Sequence, residues 1–223
     1  MSRLSALLYT SLATMVLSAN NTANADILYD NLPPTSSFGG TAPIVAVGAA
    51  FNSFSTGTAD TALTDVKMIL SGDPTNTAQF TVTLLSDSSG QPGSLLTTLG
   101  TFDDSTLSGT DSVYDIPVPS YGLVANTRYW IELSGSASSV AWDYAANGSG
   151  VGIIGEYWAY SPSGTIIVSA NSTDNWPFQM QVTTTSASVV PEPGTMSLTL
   201  SALGLSIVVL ARRRSTLSRF QLI

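Results

Sequence analysis

The chain has 223 residues, no cysteine, no histidine and a formal net charge of −8. These counts exclude disulfides, thiolate metal sites, cysteine nucleophiles and histidine-based acid–base chemistry. Between 26 and 190 fourteen acidic residues face only Lys67 and Arg128, a surface that repels phosphate backbones, so nucleic acid is excluded as a partner.

In chain order, the first predicted element is a leader. Arg3 precedes an apolar run containing Leu7, Leu8, Leu12, Val16 and Leu17, and Ala23-Asn24-Ala25 fits the small-residue rule for signal peptidase. Residues 1–25 therefore read as a secretory signal, cut before Asp26. The run is short and diluted by Ser and Thr, which argues against an anchor helix. An exported chain without cysteine must hold its fold by packing alone.

Residues 26–184 read as one all-β domain. Phe80, Val82 and Leu84 alternate with Thr81 and Thr83; Tyr129, Ile131 and Leu133 alternate with Trp130, Glu132 and Ser134; Phe178, Met180 and Val182 alternate with Gln179, Gln181 and Thr183. A period of two marks strands with one wet face. Further strands are predicted at 49–54, 63–70, 95–102, 112–116, 139–144, 151–158 and 165–169. Turn chemistry separates them, as in Ser71-Gly72-Asp73-Pro74 and Asn147-Gly148-Ser149-Gly150. Nine or ten short strands predict a two-sheet β-sandwich, jelly-roll-like in connectivity. Residues 185–190 read as a linker.

The C-terminal segment changes character. Val190-Pro191-Glu192-Pro193 is extended by its prolines, and nineteen uncharged residues run from Pro193 to Ala211 before Arg212, Arg213 and Arg214. A helix over that run rises about 1.5 Å per residue and comes close to the roughly 30 Å of a bilayer core. The arginines place the end of the span, and the tail 215–223, on the cytoplasmic side. Residues 191–214 thus read as an extended, presented tetrapeptide followed by a single transmembrane helix, a temporary hold that leaves the body outside the membrane.

The ordered series Val190-Pro191-Glu192-Pro193-Gly194-Thr195, apolar span and arginine cluster resembles the PEP-CTERM sorting signal of Gram-negative bacteria. That resemblance implies recognition by an exosortase, an inner-membrane cysteine transpeptidase that cuts near Pro-Glu-Pro and releases or re-attaches the protein. The tail beyond Arg214 is longer than such signals usually carry. In the body, "VTLLSDSSGQPGSLLTTLG" from Val82 to Gly100, "LVANTRYWIELS" from Leu123 to Ser134 and Trp142 are similar to the choice-of-anchor R domain of bacterial surface proteins. This implies a surface-carried sandwich and transfers no catalytic residue.

Candidate chemistry in the body is thin. Glu132 and Glu156 lie beside aromatics, as glycosidase acids do, but ordinary strand faces look the same, and the strand-face reading is preferred. Of Trp130, Trp142, Trp158 and Trp176, most are expected in the core. Trp158 and Trp176, bordering turn-rich segments, are the candidates for stacking on a ligand. Asp73, Asp87, Asp103, Asp104 and Asp111 read as solvated loop acids without calcium-loop spacing. No metal and no cofactor is predicted.

Three functions remain: a non-catalytic surface or matrix protein associated with exopolysaccharide, a carbohydrate-binding module with an aromatic site, and a small glycan-active enzyme. The first is preferred. Exposed coplanar tryptophans on one sheet would favour the second, and paired carboxylates buried in a cleft the third.

Overall fold

A computed structural model describes residues 25–34, 36–171 and 176–186. The proposed leader up to residue 24, including Ala23, lies outside them, as do Val190, Pro191, Glu192, Pro193 and the cluster Arg212, Arg213 and Arg214. Among the described residues no helix is long and apolar enough to cross a membrane.

The described chain is all-β. In order come β1 (Ala25–Asp30), β2 (Phe38–Pro43), a single helical turn α1 (Ile44–Val47), β3 (Ala49–Ser55), β4 (Thr61–Ser71), β5 (Gln79–Asp87) and β6 (Pro92–Asp103). Then follow β7 (Ser112–Leu123), β8 (Arg128–Ser134), β9 (Ala141–Ala145), β10 (Tyr157–Ser161), β11 (Ile167–Ala170) and β12 (Met180–Ser186). They form two antiparallel sheets. In the first, β1 lies beside β12, β12 beside β4 and β4 beside β7, while β9 takes up β4 where β12 ends and carries β2 at its outer edge. The second runs β11-β10-β3-β8-β5-β6.

Facing rows from the two sheets make one core. Leu63, Val66, Met68, Leu70, Met180 and Val182 of the first sheet meet Phe54, Phe80, Val82, Leu84, Ile131 and Leu133 of the second, all buried. Each such side chain contributes about 1.5–3 kcal/mol when fully buried, so this row is the main stabilising term. Period-two alternation in β5, β8 and β12 puts those residues there. The far face of the second sheet is not wet, contrary to the alternation of β8. Trp130 is buried there with Phe51, Leu85 and Ala159, stacks on Tyr157 at 6.4 Å, and donates its Nε1–H to Asp87 at 2.9 Å.

Several boundaries differ from expectation. The strand read over 151–158 is a loop as far as Glu156, because Gly152 and Gly155 take positive φ of 68° and 88° and turn the chain. Its run of apolar residues splits, Ile153 entering the core and Ile154 standing 91% exposed. β1 and β2 were not expected; Phe-Gly-Gly-Thr-Ala-Pro has no alternation to read, and Ala25 was assigned to the leader. β7 runs on through Pro117 and Pro119, which an edge strand tolerates. β12 reaches Ser186, two residues into the expected linker.

Candidate functional site

β9 and β2 extend the first sheet, and β10 and β11 extend the second, both beyond the strands that enclose the main core. Between these extensions lies a cleft of about 270 Å³ lined by Thr41, Ala42, Pro43, Val47, Tyr144, Trp158, Tyr160, Trp176 and Phe178.

Local pattern explains each ring. Trp158 and Tyr160 are two apart on β10, so they share a face, and their rings stack at 5.9 Å and 14°. Phe178 anchors the floor, stacked on buried Trp142 at 4.8 Å and meeting Trp158 edge-on at 6.2 Å. Tyr144, from β9, lies against Trp176 at 5.8 Å. Tyr144 can lie over β2 because Gly40 opposes it in register; a Cβ at Gly40 would sit 2.3 Å from the Tyr144 hydroxyl. The Trp158 Nε1–H is buried and has no hydrogen-bond partner among the described residues. Among the described residues no acidic or basic side chain lines the cleft.

The two tryptophans singled out from sequence therefore line one cleft. Trp176 is 57% exposed and Trp158 half-buried. They come from a loop and from β10, not from one flat sheet face. Trp142, like Trp130, is fully buried and donates to the Gln179 carbonyl at 2.9 Å.

The two glutamates lie elsewhere. Glu156 is 4% exposed and accepts from the Ser53 and Ser55 hydroxyls and from Arg128 Nε at 3.0 Å. Arg128 also donates to the Gly155 carbonyl at 2.8 Å and lies over the Tyr157 ring at 4.8 Å. This set clamps the loop before β10 onto β3 and β8. Glu132 accepts from Thr83 at 2.7 Å and lies four residues along β8 from Arg128, about 13 Å, with buried Trp130 between them. Among the described residues the two glutamates form no cleft with paired acids.

Among the loop acids, Asp104 is not solvated. It is fully buried and accepts from Ser138 Oγ and Ser139 N at 2.5 Å, Ser139 Oγ at 2.9 Å and Asn76 Nδ2 at 3.0 Å, tying three loops together. Asp87 serves Trp130 and the Gly90 amide, Asp73 serves Thr75, and Asp103 serves Gln79. Among the described residues no group of three or more acidic side chains gathers to hold a metal ion.

One carboxyl pair was invisible in the sequence. Asp143 is 1% exposed, and burial, then the charge of Asp111 and a hydrogen bond to it, push its carboxyl up to about 7. Alternation along β9 turns Asp143 away from Trp142 and Tyr144, so it lies on the opposite face from the cleft. Tyr144, Tyr160 and Phe178 were also missed as cleft residues, although Tyr157-Trp158-Ala159-Tyr160 carried a period-two signal.

No family model matches the chain, and no curated protein matches it. Among solved structures, the chain is similar to the cysteine protease and lectin-like domains of Cwp84, a surface layer associated protein of Clostridium difficile. That match has 16% identity and a TM-score of 0.47, covering 62% of this chain and 32% of the other. A second structure, the clostridial cysteine protease Cwp84 after propeptide cleavage, matches at 15% identity and a TM-score of 0.48, covering 66% and 38%. The chain thus spans about a third of the length of those solved chains. The likeness transfers no residue role.

Proposed function

We propose that this is a non-catalytic, exported bacterial surface or matrix protein whose sandwich binds glycan through the aromatic cleft. The observation that carries the reading is the convergence of Trp158, Tyr160, Tyr144 and Trp176 on one open cavity. A sugar presents C–H groups on its ring faces and hydroxyls at its edge, so it stacks on such rings while its polar groups stay wet. Among the described residues the cleft is lined by aromatic and apolar side chains and no carboxylate, which supports binding over hydrolysis.

The fold reading is sharpened by strand order. The series β1-β12-β4-β7 facing β3-β8-β5-β6 supports a jelly roll, with β2, β9, β10 and β11 added to build the cleft. β12 leaves the Phe178 region and runs about 20 Å to Ser186, where β1 begins opposite Thr185. Both ends of the domain therefore emerge together, away from the cleft.

Export rests on the leader with its Ala23 and Ala25 cleavage residues. Sorting rests on Pro191-Glu192-Pro193, the apolar span and Arg212, Arg213 and Arg214, with exosortase as processing partner and exopolysaccharide as the glycan at hand. Two measurements test the reading. Trp158→Ala and Trp176→Ala should each lower retention of the mature protein on the producing cell's exopolysaccharide; equal retention would reject the cleft. Pro191→Ala with Glu192→Ala should leave a folded but unprocessed membrane form; release equal to wild type would reject the sorting assignment.

A further inference from the structure

Resting on the glycan-binding reading, we infer that the cleft takes one uncharged sugar ring, at a chain end or side branch, and discriminates against acidic glycans. Charge supplies the first argument. The described residues contain two cations, and both are engaged: Lys67 lies 3.8 Å from Asp65 and 3.7 Å from Asp115, and Arg128 is held by Glu156 at 3.0 Å. A uronate or sulfated sugar entering the cleft finds no positive partner and meets the field of a strongly acidic domain.

Shape supplies the second. The rings stand on both sides of the cavity, Trp158 and Tyr160 from the second sheet, Tyr144 and Trp176 beside the first. That arrangement pinches a ring between two walls. A polymer lying lengthwise needs a long flat row of rings along one sheet face, and the cleft offers only the pair Trp158 and Tyr160, faced by Tyr144 and Trp176. A cavity of about 270 Å³ also lies just below the usual range of ligand sites, about 300 to 1,000 Å³.

Polarity supplies the third. The apolar walls include Tyr144 and Tyr160, whose phenol hydroxyls are the polar side-chain groups the two walls bring. An apolar pinch with hydroxyl donors and acceptors suits a ring whose faces are C–H and whose edge is hydroxyl. An aromatic peptide side chain would leave those hydroxyls without partners.

The test titrates full-length protein in detergent with glucose, cellotetraose, chitotetraose, tetragalacturonate and chondroitin sulfate tetrasaccharide, following heat and tryptophan fluorescence. At least one neutral probe should saturate, with affinity changing less than about threefold between about 0.05 and 0.5 M salt. Trp176→Ala, an exposed change, should weaken it about tenfold or more. The bound tetrasaccharide should gain less than about tenfold over its own monosaccharide.

Stronger binding of an acidic probe, weakened by salt, would overturn the inference while leaving the glycan reading standing. A length gain well above tenfold would overturn the single-ring assignment alone. Neutral binding untouched by Trp176→Ala would overturn the cleft as its site. Binding of no probe, or self-association abolished by Trp176→Ala in sedimentation, would overturn the inference and the reading beneath it.

Discussion

Glu156→Ala removes the acceptor that clamps the loop before β10 to the second sheet. The carboxylate is 4% exposed and meets two serine hydroxyls and the Arg128 guanidinium, whose side chain is 26% exposed. Hydrogen bonds to a charged group contribute about 1.5–3 kcal/mol each, but those sharing one acceptor do not add. Breaking a buried ion pair from one side costs about 3–5 kcal/mol. Arg128 keeps the Gly155 carbonyl and the Tyr157 ring and can turn partly to water, so the lower end applies, about 3 kcal/mol. For a domain of this size that lowers the melting temperature by roughly 6–12 °C. Glu156→Gln, which keeps the volume and one acceptor oxygen, should cost about half as much. Thermal melts followed by circular dichroism and tryptophan fluorescence check both, and high salt should change the difference little. A melting temperature for Glu156→Ala within about 2 °C of wild type would refute the clamp.

Two further outcomes follow from the same geometry. The raised pKa of Asp143 means the folded chain holds a proton that the unfolded chain loses above about pH 4. Stability should therefore fall as pH rises from about 4 to about 7, by up to about 1.4 kcal/mol per unit, and Asp143→Asn should flatten that slope in urea melts. An unchanged slope would remove Asp143 as its source. Gly40→Ala drives a methyl into the Tyr144 hydroxyl, so the ring must move. Stability should drop by about 1–2 kcal/mol and ligand affinity by about tenfold, measured by melts and titration; a variant that binds like wild type would show that Tyr144 does not shape the cleft.

What the sequence could show was what lies close along the chain. Phe80-Thr81-Val82-Thr83-Leu84 and Tyr129 to Leu133 declare their strands, because alternation is local and burial enforces it. Phe38 to Pro43 conceals β2, since two glycines and a proline leave no side-chain pattern, and the reason for Gly40 is a tyrosine more than a hundred residues away. Val151 to Glu156 misled because its apolar composition outweighed two glycines whose positive φ breaks the strand. Trp158 and Trp176 were legible as candidates from their turn-rich flanks. Their partners Tyr144 and Phe178 were not, because the cleft exists only where β9 and β10, in different sheets, come to face each other. Asp104 looked like a loop acid for the same reason, its partners Ser138 and Ser139 lying 34 and 35 residues on.

The four indole N–H protons offer the most direct measurement. Trp130, buried on the far face of the second sheet with its N–H on Asp87, acts as the internal control, while Trp142, its N–H on the Gln179 carbonyl, lies behind the Phe178 floor. In a two-dimensional NMR titration with a neutral oligosaccharide, the indole signals of Trp158 and Trp176 should shift together and saturate while that of Trp130 stays fixed. Four stationary signals across the probe series, or a shift confined to Trp130, would contradict the cleft as the binding site.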